Sequence, residues 1–209
     1  MTPNSIDQSQ TSQNFPRFAN EQSMTFDKLY SFLMSNMLIH TNHYAFLKKC
    51  STANALQHIV DIWLQSIDKN NINAAFFLDL SACFVVINLD LLLYKLKLDN
   101  FDENTIRLFE SYLKGRQQCV QVESAFSPPL PVNFGVPHGS ILGPILFLIF
   151  INELPELVKE TEQYLANEDT TAEPHIIVFA DDNTPTCSET YPYDLIKSIQ
   201  EVSNKVHHE

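Results

Sequence analysis

The sequence has few glycines, few basic residues and no apolar run long enough to cross a membrane. Only 4 of its 209 residues are glycine, and 13 Lys and Arg stand against 25 Asp and Glu, for a net charge of −12. An acidic surface repels polyanions, which argues against nucleic-acid binding. The most apolar run, at residues 141–151, falls short of the ~20 residues that span a bilayer, and Gly143 and Pro144 interrupt it. We therefore predict a buried helix there.

Cysteine is also scarce. The four cysteines lie far apart, without a CxxC pair or a Cys/His cluster of the kind that binds zinc. We expect reduced thiols and, because the N-terminal residues lack a basic and apolar leader, an intracellular location. The hydrophobic fraction of 44% is enough for one sizeable core.

The distribution of apolar residues predicts the order of the elements. Residues 1–24 are rich in Ser, Gln and Asn and predict a disordered tail, followed by a folded domain at residues 25–200 and a terminal tail at residues 201–209. Helical periodicity occurs at residues 26–39, 52–67, 90–98, 102–113, 141–151 and 194–206. Strands are expected around Asp79, Val120, Val132 and Ile176, with the second and third forming a hairpin. The acidic residues 153–173 predict a surface loop, and Pro185 predicts a poor strand.

Two apolar segments end in carboxylates. In IIVFADDNT, at residues 176–184, a strand runs into a predicted hairpin tip at Asp181 and Asp182; in AAFFLDL, at residues 74–80, Asp79 lies near the end. Adjacent carboxylates repel each other, so a fold that holds them at a strand end usually supplies a cation. If the two strands are neighbours, the three carboxylates suit a divalent metal that handles phosphates. The alternative is a solvated turn.

Three of the four glycines fall within GVPHGSILGP, at residues 135–144. Glycine permits backbone conformations and close approaches that a Cβ forbids, so the segment predicts a crowded loop with Ser140 capping the helix that follows. An ordinary connection between a strand and a helix remains the alternative.

Three segments, FLDLSACF, GVPHGSILGPILFLIFINELP and VFADD, resemble motifs A, B and C of reverse transcriptases from non-LTR (LINE-type) retrotransposons. The flanking FDKLYSFLMSN, FLKKCSTANAL and SYLKGRQQCVQV are similar to the fingers and palm segments of that family, and the resemblance covers about residues 25–200. It implies an α+β polymerase right-hand palm, in which the helices near Asp90 and Ile141 back an antiparallel sheet. Partial fingers are expected, and a thumb and an endonuclease domain are not.

The resemblance also implies a function and its residues. Asp79, Asp181 and Asp182 would hold two Mg²⁺ ions, or Mn²⁺ in their place, for nucleotidyl transfer to a primer 3′-hydroxyl. The partners implied are an RNA template, a DNA primer and deoxynucleoside triphosphates. Phe84 would lie under the incoming sugar and exclude a ribose 2′-hydroxyl, and the loop at residues 135–140 would pack against nucleotide and template. The nucleotide-binding residues implied are Leu80, Phe84, Lys48, Lys49, Pro137, His138 and Gly139.

Several positions depart from the family pattern. Leu47 stands where an arginine clamps the triphosphate, a grip that a lysine only partly replaces, and His138 stands where glutamine is usual. Val85, Ala82 and Ala45 replace an aspartate, a lysine and a glycine. Three hypotheses therefore stay open: an RNA-directed DNA polymerase domain, a degenerate and inactive remnant or nucleic-acid-binding scaffold, and an unrelated acidic α/β interaction module.

Overall fold

The computed structural model describes residues 15–80, 82–166 and 172–207. The helices are α1 (Phe15–Ser35), α2 (Thr52–Asp68), α3 (Cys83–Val86), α4 (Leu89–Leu98), α5 (Glu103–Leu113), α6 (Gly143–Phe150), α7 (Leu154–Ala166) and α8 (Pro192–His207). The strands are β1 (Ile72–Ala75), β2 (Leu78–Asp79), β3 (Arg116–Gln118), β4 (Gln121–Val122), β5 (Ala125–Phe126), β6 (Leu130–Val132), β7 (Glu173–Phe179) and β8 (Asp182–Glu189). Helices and antiparallel sheets occur together, which confirms the α+β class.

The chain forms two compact units. The first contains the described residues up to 38 and residues 82–150, and the second contains the described residues of 39–81 and 151–209. In the second unit, β8 is the centre of a four-stranded antiparallel sheet, with β7 on one side and β1 and β2 on the other. Helices α2, α7 and α8 pack on this sheet. One cluster of its core consists of Val158, Ile176, Val178 and Val202.

This arrangement corrects the predicted make-up of the sheet. The helices near Asp90 and Ile141 are α4 and α6, which belong to the first unit and pack against each other there. The segments around Val120 and Val132 also lie outside the four-stranded sheet. Sequence patterns identify elements, but they carry little information about which elements become neighbours.

Helix α7 replaces the loop predicted at residues 153–173. Val158 and Leu165 are fully buried and Thr161 nearly so, a helical spacing that faces the core. The glutamates of the same stretch lie on the other side of the helix and hid this periodicity in the sequence. Residues 167–171 of the predicted loop lie outside the described residues.

Pro185 lies inside the central strand, contrary to the prediction that it weakens strand β8. Val178 of β7 directs its N–H and C=O away from β8, to Asn42 and Tyr44, so Ile176, two residues earlier, directs its own the same way. Ile176 is the partner of Pro185, and their pair is therefore not hydrogen-bonded. On its other side β8 faces β1 and β2, whose ladder is interrupted at residues 76 and 77; there the Pro185 carbonyl accepts from the Phe76 N–H at 3.1 Å, but proline has no N–H to donate in return.

The first unit has a core in which α4 contacts both α5 and α6. Helix α6 is buried on nearly all sides, as its sequence predicts, and the Ser140 hydroxyl accepts from the Gly143 N–H at 2.9 Å at its start. The predicted hairpin forms, but it pairs β3 with β6, and the small β4–β5 pair lies at its tip. Val120 lies between β3 and β4 and belongs to neither, although its carbonyl accepts from the Ser127 N–H at 2.9 Å next to the β4–β5 pair.

The other helices agree with the sequence apart from their ends. Ser51 caps α2 and Asp102 caps α5, as predicted. Helix α1 begins at Phe15, inside the predicted tail at residues 1–24, and α8 continues to His207, so both tail predictions are corrected where the structure describes them. Residues 1–14 lie outside the described part. Within that part, no helix is both long and apolar enough to cross a membrane.

Candidate active site

The β7–β8 hairpin carries two of the candidate carboxylates at its tip. Phe179 pairs with Asp182, which leaves Ala180 and Asp181 as a two-residue turn. Turns of this length need a positive φ at one or both central positions, and Ala180 has a φ of 57°. Ala180 is buried, whereas Asp181 and Asp182 are exposed. The hairpin therefore presents both carboxylates to solvent.

Strand β2 brings the third carboxylate to the same place. Its register pairs Asp79 with Asp182 and Leu78 with Asn183. Directly opposed residues of an antiparallel pair have Cα atoms about 4.5–5.5 Å apart. The Leu80 N–H donates to the Asp181 carbonyl at 3.0 Å, which continues the contact past the end of β2. The structure thus brings Asp79, Leu80, Asp181 and Asp182 together at one corner of the sheet.

Asn183 supports this corner from inside and was missed by the sequence reasoning. Its side chain is 1% exposed, and its Nδ2 donates to the Asp181 carbonyl at 3.1 Å, the same oxygen that Leu80 contacts. Two donors on one carbonyl fix the turn that carries the carboxylates. The position directly after the acidic pair was a signal that could have identified Asn183.

The donor set suits a hard cation that keeps open coordination positions. Mg²⁺ prefers oxygen ligands and is often bound by one or two carboxylates together with substrate phosphates. Asp79, Asp181 and Asp182 are all exposed, which leaves room for such ligands. Throughout residues 15–80, 82–166 and 172–207, however, no three His, Cys, Asp or Glu side chains are grouped so that they could hold a metal ion. The three aspartates are therefore backbone neighbours without a closed ligand cage.

A segment before α2 holds the outer side of β7. The Tyr44 N–H donates to the Val178 carbonyl at 2.9 Å, and the Val178 N–H donates to the Asn42 carbonyl at 3.0 Å. His43, between the two, is 1% exposed, and within the described residues neither of its ring nitrogens has a hydrogen-bond partner. Burial, reinforced by nearby His40, lowers the pKa of His43 from 6.5 to about 4.

This buried histidine predicts acid sensitivity. Because its pKa is lower in the folded state than in the unfolded state, the unfolded state binds the proton more readily between pH 6.5 and about 4. Stability is therefore fully present above pH 6.5 and is lost as the pH falls towards 4, by an amount on the order of 3 kcal/mol. Urea unfolding at several pH values measures this loss.

His43→Phe is the matched variant, since it keeps a planar ring but cannot titrate. His40 and His175 also have lowered pKa values, chiefly through burial, and they remain in both proteins. The difference in slope between wild type and His43→Phe therefore isolates His43. Equal slopes from pH 6.5 to 4 would contradict this assignment.

The predicted sugar-contacting residue lies in the first unit. Phe84 is part of the four-residue helix α3, and its ring packs against that of Phe147 of α6 in a tilted pair with centroids 4.5 Å apart. The Val136 N–H donates to the Phe84 carbonyl at 2.9 Å, which joins the glycine loop to α3. A Cβ on Gly135 would lie 2.6 Å from the Val85 Cα and 2.7 Å from the Phe84 carbonyl oxygen.

Packing within the protein already requires glycine at position 135. The loop was predicted to pack against nucleotide and template, but the neighbour that leaves no space for a Cβ at Gly135 is the backbone of α3. Gly139 has a φ of +68°, yet among the described residues no atom beyond its chain neighbours lies within 4 Å of its ideal Cβ. Packing within the protein therefore explains Gly135, and the packing of this loop against nucleotide and template stays a prediction.

The remaining candidates are at the surface. His138 and Gly139 are exposed, and the Pro137 carbonyl accepts from the Ser140 N–H at 3.3 Å. Lys48 and Lys49 are exposed in the loop before α2, in the same unit as the carboxylates.

Arg116 was not identified from the sequence either. Its guanidinium donates to the carbonyls of Leu113, Phe134 and Gly135. It therefore ties the end of α5 to the start of the glycine loop. A lone arginine in a polar stretch gives no sequence signal for such a role.

Comparisons with known proteins identify the family of the chain. Residues 20–209 match the profile of the family described as reverse transcriptase (RNA-dependent DNA polymerase). A probable RNA-directed DNA polymerase from transposon BS of Drosophila melanogaster is 28% identical over 129 residues, which are 62% of this chain and 14% of that protein. The RNA-directed DNA polymerase from mobile element jockey of Drosophila funebris is 30% identical over 112 residues, 54% of this chain and 12% of that protein.

Among solved structures, apo telomerase from Candida tropicalis, truncated from its C-terminal domain, has a similar fold. The TM-score is 0.57 at 14% identity, over 88% of this chain and 36% of that chain. The chain spans only 12–18% of the length of the curated relatives that it matches.

The fold, in which helices pack on an antiparallel sheet, is similar to that of the telomerase structure. The family match is more specific. The chain belongs to the reverse transcriptase (RNA-dependent DNA polymerase) family, among the non-LTR, LINE-type members.

Proposed function

We propose that this domain catalyses RNA-directed DNA synthesis, with the second unit as the polymerase palm. The observation that carries the proposal is the register of β2 and β8, which sets Asp79 opposite Asp182 and beside Asp181. Like charges on directly opposed residues destabilise a sheet. A fold that keeps such a pair despite the lost stability is expected to use it in a functional site. Binding a divalent cation removes that repulsion.

The three aspartates are proposed to hold two Mg²⁺ ions. Bound there, the metal would lower the pKa of a primer 3′-hydroxyl and neutralise charge on the triphosphate. The protein's own contribution is orientation: the Leu80 N–H and the Asn183 side chain fix the Asp181 carbonyl, and the register of β2 fixes Asp79. Lys48 and Lys49 are proposed to attract the triphosphate as point charges, without the bidentate grip of an arginine.

The substrates proposed are an RNA template, a DNA primer and deoxynucleoside triphosphates. Phe84 is proposed to exclude the ribose 2′-hydroxyl, and Pro137, His138 and Gly139 are proposed to lie beside the nucleotide. The acidic balance of the chain opposes nucleic-acid binding and leaves few Lys and Arg to neutralise phosphates, so we expect weak affinity for the template with a shallow dependence on salt.

A second candidate function keeps the fold but not the chemistry. It is favoured by Leu47, which is half-buried and cannot clamp a phosphate, and by His138 in place of glutamine. In that case the domain would be an inactive remnant or a nucleic-acid-binding scaffold.

Primer extension separates the two. The chain is incubated with an RNA template annealed to a DNA primer, deoxynucleotides and Mg²⁺ at low salt, and Asp182→Asn serves as the control. We expect the wild type to lengthen the primer and the variant to leave it unchanged. If the wild type adds no nucleotide, or if the variant adds as many, the proposal of catalysis at this site is wrong.

A further inference from the structure

The surroundings of Phe84 point to a second residue that governs the choice of sugar. We infer that Phe147, a buried residue of α6, is a positioning residue that holds the Phe84 ring, so that the preference for deoxynucleotides depends on the core of the first unit. The inference rests on the proposed function, in which the sugar of the incoming nucleotide meets Phe84.

A ring can exclude a hydroxyl group only if it cannot move aside. Phe84 lies in a helix of four residues, too short to fix a side chain by its own packing, and Ala82 before it has a φ of 60°. The Phe84 ring is half-buried and therefore has an open side towards solvent. Its place must come from neighbours outside α3.

Phe147 supplies such a neighbour. The two rings are 4.5 Å apart between centroids at an interplanar angle of 37°, within the range of favourable aromatic pairs. Phe147 is 1% exposed, and its helix is buried on nearly all sides, with Ile145, Leu146, Leu148 and Ile149 also buried. The support under the Phe84 ring is consequently rigid.

The backbone of Phe84 is fixed separately from its ring. Val136 donates to its carbonyl, the Gly135 N–H donates to the Ile87 carbonyl at 2.8 Å, and the Gly135 Cα packs directly on α3. Arg116 in turn holds the Phe134 and Gly135 carbonyls. Removing the Phe147 ring should therefore free the Phe84 side chain to rotate while its backbone stays in place.

The test compares dATP with ATP, which differ only in the 2′-hydroxyl. Binding of each to the full chain with Mg²⁺ is measured by calorimetry, and incorporation of each is measured opposite an RNA template. In Phe147→Leu the preference for dATP should fall by about two- to tenfold, which is the interaction energy of one aromatic pair converted to a ratio of binding constants. Phe147→Met, which fills more of the space, should act in the same direction if the leucine variant does not fold.

Phe109→Leu is the matched control, because it removes an equally buried ring from α5 of the same unit. It should lower stability and leave the ratio of dATP to ATP unchanged. Phe84→Ala should abolish the preference, and the double variant Phe84→Ala/Phe147→Leu should lose nothing more, since the two residues act as one unit.

The inference is overturned if wild type binds dATP and ATP alike, if both Phe147 variants keep the preference, or if Phe109→Leu lowers it equally. Its fate is distinguishable from that of the proposed function. If wild type binds dATP more tightly than ATP, the Phe147 variants lose this preference and no protein extends the primer, the role of Phe147 is supported and the proposal of catalysis is wrong. If the proteins extend the primer but both Phe147 variants keep the preference for dATP, catalysis is supported and the role of Phe147 is wrong.

Discussion

Asp182→Asn is expected to abolish nucleotide addition and at the same time to make the domain more stable. If Asp182 is a metal ligand as proposed, its loss removes several kcal/mol of transition-state stabilisation, which corresponds to at least about a thousandfold in rate. The stability gain arises because Asp182 lies opposite Asp79 in the β2–β8 register and next to Asp181. Removing one of two opposed like charges is worth roughly 0.2–1 kcal/mol, a rise in Tm of up to about 4 °C for a chain of this size.

Mg²⁺ is expected to stabilise the wild type but not variants that lack one of the proposed metal ligands. A ligand that binds only the folded state stabilises it by about 2.7 kcal/mol at a hundred times its Kd. Thermal unfolding with and without Mg²⁺ should therefore show a rise in Tm for wild type and little change for Asp182→Asn or Asp79→Asn. Asp194→Asn, which changes a half-buried aspartate in the first turn of α8, is the control and should behave like wild type. An equal Mg²⁺ response in all four proteins would exclude a cation at this corner of the sheet.

Gly135→Ala is expected to cause the largest loss of stability. A positive φ alone costs alanine roughly 1–2 kcal/mol. At Gly135 the new Cβ would also lie within 3 Å of three backbone atoms of Phe84 and Val85, and backbone cannot rotate away as a side chain can. We expect a total of about 3 kcal/mol or more, hence a fall in Tm of at least about 6 °C.

Two other glycines supply controls for this variant. Gly115 and Gly139 have φ values of +72° and +68°, and in the part of the chain that the structure describes neither has an atom beyond its chain neighbours within 4 Å of its ideal Cβ. Gly115→Ala and Gly139→Ala should therefore show only the conformational part of the loss. If Gly135→Ala unfolds at the same temperature as these two, close packing on α3 is not the reason for glycine at that position.

Local features of the sequence predicted most of the elements. Ser51 and Asp102 cap helices, and the apolar stripes around Leu92 and Phe109 are helical. The apolar run before Asp181 and Asp182 is the first strand of a hairpin. These predictions succeeded because capping and periodicity act within a few residues of one another. The predictions for α7 and for Pro185 failed because they depend on contacts between residues that are distant in the sequence. Buried positions hidden among glutamates, and a gap in a neighbouring strand, are visible only after the chain has folded.

The sequence by itself determined the family, since motif order and spacing are properties of the chain, and it supplied the three aspartates as candidates. The tertiary structure decided that Asp79 faces Asp182, that α2, α7 and α8 back the sheet, and that Gly135 is required by α3. It also revealed Asn183, Arg116 and Phe147 as supports. Strand pairing and packing join residues that are far apart in the chain, and their contacts depend on a register that no local pattern specifies.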